Sequence, residues 1–189
     1  MRRTLAIAAL MLSVSIAPTF AQSQSDSSVP TIPETQIEPR KVATPYEFIS
    51  AASSADEFEI KSSTLAKTLA SSAEVKAFAD MLISDHTAAM AELIAAGKAD
   101  KVEIAAPSPD GEQQGLLAKL ENVKGEDFDK MFIQAQLFVH QRAIALFKGY
   151  AGETSNLGKY ANKTLPTLTG HYAMATKLAD SLGMVDEAQ

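Results

Sequence analysis

The sequence has no cysteine. That absence excludes disulfides, thiol nucleophiles, thiolate-bound zinc and iron–sulfur clusters, so stability has to come from a packed core. Positive charge is in short supply, with 17 Lys and Arg against 23 Asp and Glu. An acidic chain without a basic stripe is a poor partner for nucleic acid or for an anionic membrane surface. No His-Glu-x-x-His, phosphate-binding loop, Gly-x-Ser-x-Gly or dinucleotide fingerprint occurs, so no catalytic motif names a reaction. Strands are missing too, since no β-branched alternating run is long enough to make one. The carboxylate pairs Asp56/Glu57 and Glu126/Asp127 read as solvated charges at helix starts or on polar faces.

The first 21 residues read as a cleaved secretory signal peptide. Met1-Arg2-Arg3 is a basic start, Leu5 to Ile16 is uncharged and apolar, and Thr19-Phe20-Ala21 puts small residues where a signal peptidase reads. The apolar run is shorter than the ~20 residues of a membrane span. Processing would therefore leave no transmembrane segment and would place the chain in the periplasm or envelope. It would take Lys and Arg from 17 to 15 against 23 acids, a net charge of −8. Residues 22–44 are rich in Ser, Pro, Thr and Gln, with Pro30, Pro33 and Pro39, and are expected to form a disordered tether.

From Pro45 the composition turns to Ala- and Leu-rich helix formers. Four long segments with apolar residues at three- and four-residue spacing follow, roughly 46–70, 71–97, 126–151 and 154–182. Ser71 with Glu74 predicts a capping box at the start of the second, and Gly97 its stop. Gly149 and Gly152 mark the end of the third, and Gly183 that of the fourth. Pro166 predicts a kink in the fourth, or its true start. The first two segments are joined by almost nothing and the last two by a few residues, so each pair forms an antiparallel hairpin. Between the hairpins lies a long connection, 98–125, where Leu116, Leu117 and Leu120 fit one short helix. The expectation is an all-α domain over 45–183 with a short tail, 184–189. A long crossover between two hairpins is the ferritin-like four-helix arrangement. A simple up-down-up-down bundle with a decorated loop fits the same periodicity.

The polar residues on these seams are the candidates for chemistry. The three histidines, His86, His140 and His171, fall on the second, third and fourth segments, and the first contributes Glu59. At ~1.5 Å per residue, Glu59 and His86 lie within about one helical turn of the same height, and His140 and His171 match similarly. One inward side chain from each of four helices, in one layer, is how bundle-core metal sites are built. Imidazoles with a carboxylate suit one transition-metal ion, and Asp85, beside His86, is placed to accept a histidine N–H from outside the ligand set. The same layer also reads as a buried Glu–His–Asp hydrogen-bond network that fixes helix register. Met90 and Met174 share faces with His86 and His171, a copper(I) pairing or simple core filling.

Several of these residues carry a family likeness. Phe58-Glu59-Ile60 with Leu65-Ala66, Glu74 to Ala79 leading into Asp85-His86-Thr87, Phe128-Asp129, His140, and Leu165-Pro166 followed by His171 resemble an exported bacterial family catalogued as domain of unknown function 4142. The resemblance implies a ferritin-like four-helix fold, export to the periplasm or envelope, and no agreed activity. It does not imply di-iron chemistry. Ferritin-like di-iron proteins place Glu three residues before His, whereas Ile83, Leu137 and Leu168 hold those positions here. The sequence thus predicts an exported helical-bundle protein, with a stress-related role as one expectation, whose Glu59/His86/His140/His171 layer is structural or binds one metal ion. Its alternatives are a redox enzyme with an atypical carboxylate–histidine centre, and an envelope interaction module working through Leu116, Leu117 and Leu120.

Overall fold

A computed structural model of the chain describes residues 32–184. The expected signal peptide, the part of the expected tether up to residue 31 and tail residues 185–189 lie outside the described residues. Among those described, the structure is all-helical. A 3-10 turn, Glu34–Gln36, is followed by α1 (Pro45–Leu69), α2 (Ala73–Ala99), α3 (Gly111–Leu120), α4 (Glu126–Tyr150) and α5 (Asn156–Ser181). No helix among these residues is long and apolar enough to cross a membrane.

Local chemistry sets the helix starts. Thr44 caps α1 by accepting from the Glu47 N–H at 3.0 Å, and Pro45 takes the first helical position, where no N–H is needed. Asp110 and Gln113 form a full capping box on α3, and Ser155 caps α5 by accepting from Gly158. The cap of α2 is Ser72 rather than the expected Ser71. The reason lies on α4: the buried Asp129 carboxylate accepts from the Ser71 N–H at 3.1 Å and the Ser72 N–H at 2.9 Å, and from the Ser71 hydroxyl. At the opposite end Asp100 does the same for α5, accepting from the Asn156 and Leu157 N–H groups at 3.1 and 2.8 Å. Each hairpin thus caps a helix of the other with a carboxylate.

These end contacts fix the topology. The Gly125 N–H donates to Leu69 at 2.8 Å, so α4 starts where α1 ends. Phe48 stacks on Tyr150 at 4.3 Å, so α4 finishes where α1 began. α1 therefore runs up, α2 and α4 run down, and α5 runs up. The connection climbs the full length of the bundle, which excludes an up-down-up-down order. α1 packs on α2 and α4, and α5 packs on α4 and α2. α3 lies across α1 and α4. Leu120 is fully buried, while Leu116 and Leu117 pack on Phe58, Ala135 and Val139. These leucines hold the crossover down and do not present a free docking surface.

Several expectations are corrected. Residues 32–44 are not a free tether here, because Ile37 is buried and Lys148 donates to the Glu34 and Ile37 carbonyls. Tyr172 donates to the Ile32 carbonyl at 2.8 Å, and the Arg40 N–H to that of Ala145 at 2.7 Å. Gly149 lies within α4 and does not end it. A Cβ there would come 1.8 Å from the Arg40 carbonyl oxygen, so glycine lets this segment cross the helix. Helix α2 passes Gly97 to end at Ala99. Pro166 neither starts nor stops α5; it sits exposed inside the helix, and the bond it cannot donate is to the carbonyl of the exposed Asn162. Met184, assigned to the tail, is buried and donates back to Ala179 at 2.9 Å.

Candidate metal centre

The bundle core is aliphatic and aromatic along most of its length, but midway it holds a polar layer. Glu59 of α1, His86 of α2, His140 of α4 and His171 of α5 are all buried, at 1, 4, 1 and 3% exposure. Equal helix lengths and short turns bring them to one height. One ring nitrogen from each of the three histidines lies within 4.8 Å of those of the other two. The rings sit edge to face or tilted, with centroids 5.4–5.7 Å apart. Glu59 is not part of this three-member group. Its Oε1 is 3.6 Å from His140 Nδ1.

The opposite nitrogens are committed. His86 Nδ1 shares a proton with Asp56 Oδ1 at 2.8 Å. His140 Nδ1 donates to the Gln136 carbonyl at 3.0 Å, a partner that can only accept. His171 Nε2 donates to Asp85 Oδ2 at 3.0 Å. These bonds fix the tautomers, so neutral imidazoles present His86 Nε2, His140 Nε2 and His171 Nδ1 to one another as lone pairs. The last two face each other at 3.4 Å. Two lone pairs at that distance call for a positive partner between them: a proton, a water O–H or a metal ion.

The unmet hydrogen-bonding atoms agree. Among the described residues, six buried side-chain atoms lack a partner: both Glu59 oxygens, Asp56 Oδ2, His86 Nε2, Gln136 Oε1 and Ser63 Oγ. Four of them belong to residues lining one internal cavity of ≈ 20 Å³, which His140, His171 and Asp85 also line. Buried acceptors without donors are uncommon and call for a positive partner. Nitrogen donors backed by carboxylates or a carbonyl are the pattern that orients histidine toward a transition metal. The residues fit such an ion, and Asp56, Asp85 and the Gln136 carbonyl would hold the three ligands in place.

The electrostatics fit as well. Burial pushes the Glu59 carboxyl up to about 7, with His86 and Gln136 pulling the other way. Burial also raises Asp56, against the hydrogen bond to His86. For His86 burial acts downward, but the bond to Asp56 and the charge of Glu59 leave its pKa raised. The Asp56–His86 pair therefore retains its proton. His140 is driven well below its ordinary value by burial and by His86 and His171. His171 is lowered by burial and by His86, against the pull of Asp85. The two facing imidazoles resist protonation, so a proton is a poor bridge between them.

Asp56 is the residue that sequence reasoning missed. Its place beside Glu57 suggests solvated charge, but it is buried and bonded to His86. A signal was there, because Asp56 lies three residues before Glu59 and four after Ala52, on the buried stripe of α1. Met174 is 37% exposed, and neither it nor Met90 lines the cavity.

Fold and cluster together define an all-helical bundle protein with a buried three-histidine centre. The chain belongs to the DUF4142 family, a domain of unknown function, which matches residues 31–178. Comparison with curated proteins and with solved structures gives no match.

Proposed function

We propose that this is an exported, ferritin-like bundle protein of the bacterial periplasm or envelope that binds one first-row transition-metal ion through His86, His140 and His171. The observation that carries the reading is the pair of lone pairs at 3.4 Å between His140 and His171, each ring having its proton fixed elsewhere. Nitrogen donors favour zinc, copper, nickel, cobalt or iron over calcium or magnesium. A divalent ion would also balance the buried Asp56 and Glu59 carboxylates, which otherwise carry a large desolvation cost. Glu59 contributes charge beside the ion rather than a fourth ligand. The up-down-down-up order with its crossover supports the ferritin-like placement, and the basic-then-apolar N-terminal stretch supports export.

A second reading has one observation in its favour: the Asp56–His86 and His171–Asp85 bonds each join two helices and would fix register without any ion. Metal analysis separates the two. Protein stripped with chelator and titrated with Zn²⁺ or Co²⁺ is expected to bind one ion per chain, more tightly as pH rises because protons compete with the ion for the imidazole nitrogens. His171→Ala is expected to lose the ion. Failure of the wild type to bind either ion at micromolar concentration overturns the proposal and leaves the register network.

A further inference from the structure

We infer that the centre keeps one coordination position open to solvent through a mouth between α2 and α5, and that this position takes a small lone-pair donor, between water and a triatomic anion in size. The inference rests on the reading of the three imidazoles as a metal centre. It adds that the centre is of the open kind that exchanges a ligand, not the closed kind that only braces a fold.

Ligand number comes first. Structural zinc sites are closed by four protein ligands, whereas reactive sites have three and leave a place for water or substrate. Among the described residues, three bring donor atoms within 4.8 Å of one another. The fourth sequence candidate, Glu59, is 3.6 Å from His140 Nδ1, the nitrogen turned away from the cluster and bonded to the Gln136 carbonyl. On the open side the cavity wall carries the Asp85 carboxylate, which is already committed to His171 Nε2 at 3.0 Å.

Access is the second observation. Asp85, Ala89, Thr164 and Thr167 line the internal cavity and also line an open recess of ≈ 210 Å³ on the outer face of α2 and α5. These four residues line both spaces and so lie between the imidazoles and the outer recess. The partition is thin and polar: the Asp85 side chain is 41% exposed, Thr167 is exposed, and Ala89 has no bulk to block passage. Glu92 and Lys163 bridge the outer rim at 2.8 Å, but both are well exposed, so the pair opens at little cost.

The opposite wall contrasts with it. There the cavity is closed by Ala55, Val139 and Ala143, all apolar, and they back onto a recess lined by Asp110, Gln113 and Arg142 beneath the crossover. Arg142 is tied to Asp110 and Glu112, which holds that roof down. One face is roofed by α3 and its ion pairs, and the other has no helix over it among the described residues. The internal cavity of ≈ 20 Å³ takes one water-sized coordinating group, so a triatomic ligand fits only with its far end directed into the mouth toward the outer recess.

The test uses full-length mature protein loaded with Co²⁺, whose visible absorption reports coordination, and azide as the probe. Azide is expected to change the spectrum of the wild type. Ala89→Leu and the exposed Thr167→Leu are expected to slow the change at least about tenfold, with Co²⁺ stoichiometry measured in each. Arg142→Leu, beneath the crossover and outside the cavity wall, should leave the rate within about twofold. If Co²⁺ does not bind at all, the metal reading falls and takes this inference with it. If Co²⁺ binds but azide leaves the spectrum unchanged, the open position is refuted while the metal reading stands. If azide enters equally fast in both mouth variants, or Arg142→Leu is the variant that changes its rate, the assigned route is wrong.

Discussion

Glu59 offers a quantitative test of the polar layer, because its carboxyl is fully buried and neither oxygen has a hydrogen-bond partner. Its pKa moves from an ordinary 4.5 to about 7 on folding. The folded chain therefore holds this proton more tightly than the unfolded chain does. Below pH 4.5 the group does not oppose folding, between 4.5 and 7 its cost grows, and above 7 the cost is complete. At about 1.4 kcal/mol per tenfold change in acidity, the full cost is about 3 kcal/mol. Glu59→Gln removes the charge and nearly preserves the shape. In chelator at pH 8 the variant is expected to gain up to about 3 kcal/mol, or about 6–12 °C in Tm for a domain of this size. Near pH 4 the two proteins should melt together. The groups facing Glu59 are Asp56 on the same helix, His86 on α2, His140 and Gln136 on α4, and His171 on α5. The lowered His140 and His171 act with the opposite sign: they contribute stability above the ordinary histidine pKa that is lost on acidification. They are present in both proteins and largely cancel in the difference. The measurement is Tm against pH for wild type and variant in chelator. Parallel curves, with no added gain at high pH, would refute the reasoning.

Three further outcomes follow from the same geometry. Asp56→Asn should weaken metal binding by about 10–100-fold while leaving stoichiometry at one, because it disturbs the group that orients His86; calorimetric titration reads both. Asp129→Ala removes the acceptor for two backbone N–H groups and a hydroxyl between the hairpins, and should cost about 2–3 kcal/mol in urea unfolding. Gly149→Ala should push the Arg40 segment off α4, seen as faster hydrogen exchange at the Arg40 amide with metal binding retained.

Helix number, helix limits and the common height of the three histidines were legible because they depend on local signals: apolar spacing, caps and short turns. Chain direction after the crossover was not. A connection as long as 98–125 can return to either end of a hairpin, and contacts between the hairpin ends, such as Leu69–Gly125 and Phe48–Tyr150, decide it. The shift from Ser71 to Ser72 as the α2 cap has a similar origin, since the carboxylate that claims Ser71 is 58 positions away in sequence. Asp56 was hidden by its neighbour. Two adjacent acids suggest a wet face, yet adjacent helical positions point about 100° apart, and one faced the core. Residues 32–44 look unstructured by composition, because one apolar anchor, Ile37, and several backbone bonds leave little trace in an average over the segment.

The split of ligands between the two hairpins has a consequence for how the molecule is made. The α4–α5 hairpin supplies His140 and His171, while α1–α2 supplies His86 with its Asp56 and also the Asp85 that steadies His171. Neither half holds a complete set, so a cation can be gripped only after the halves have closed on each other. On the proposed metal reading, capture of the ion would follow closure of the halves, and its release would accompany their parting.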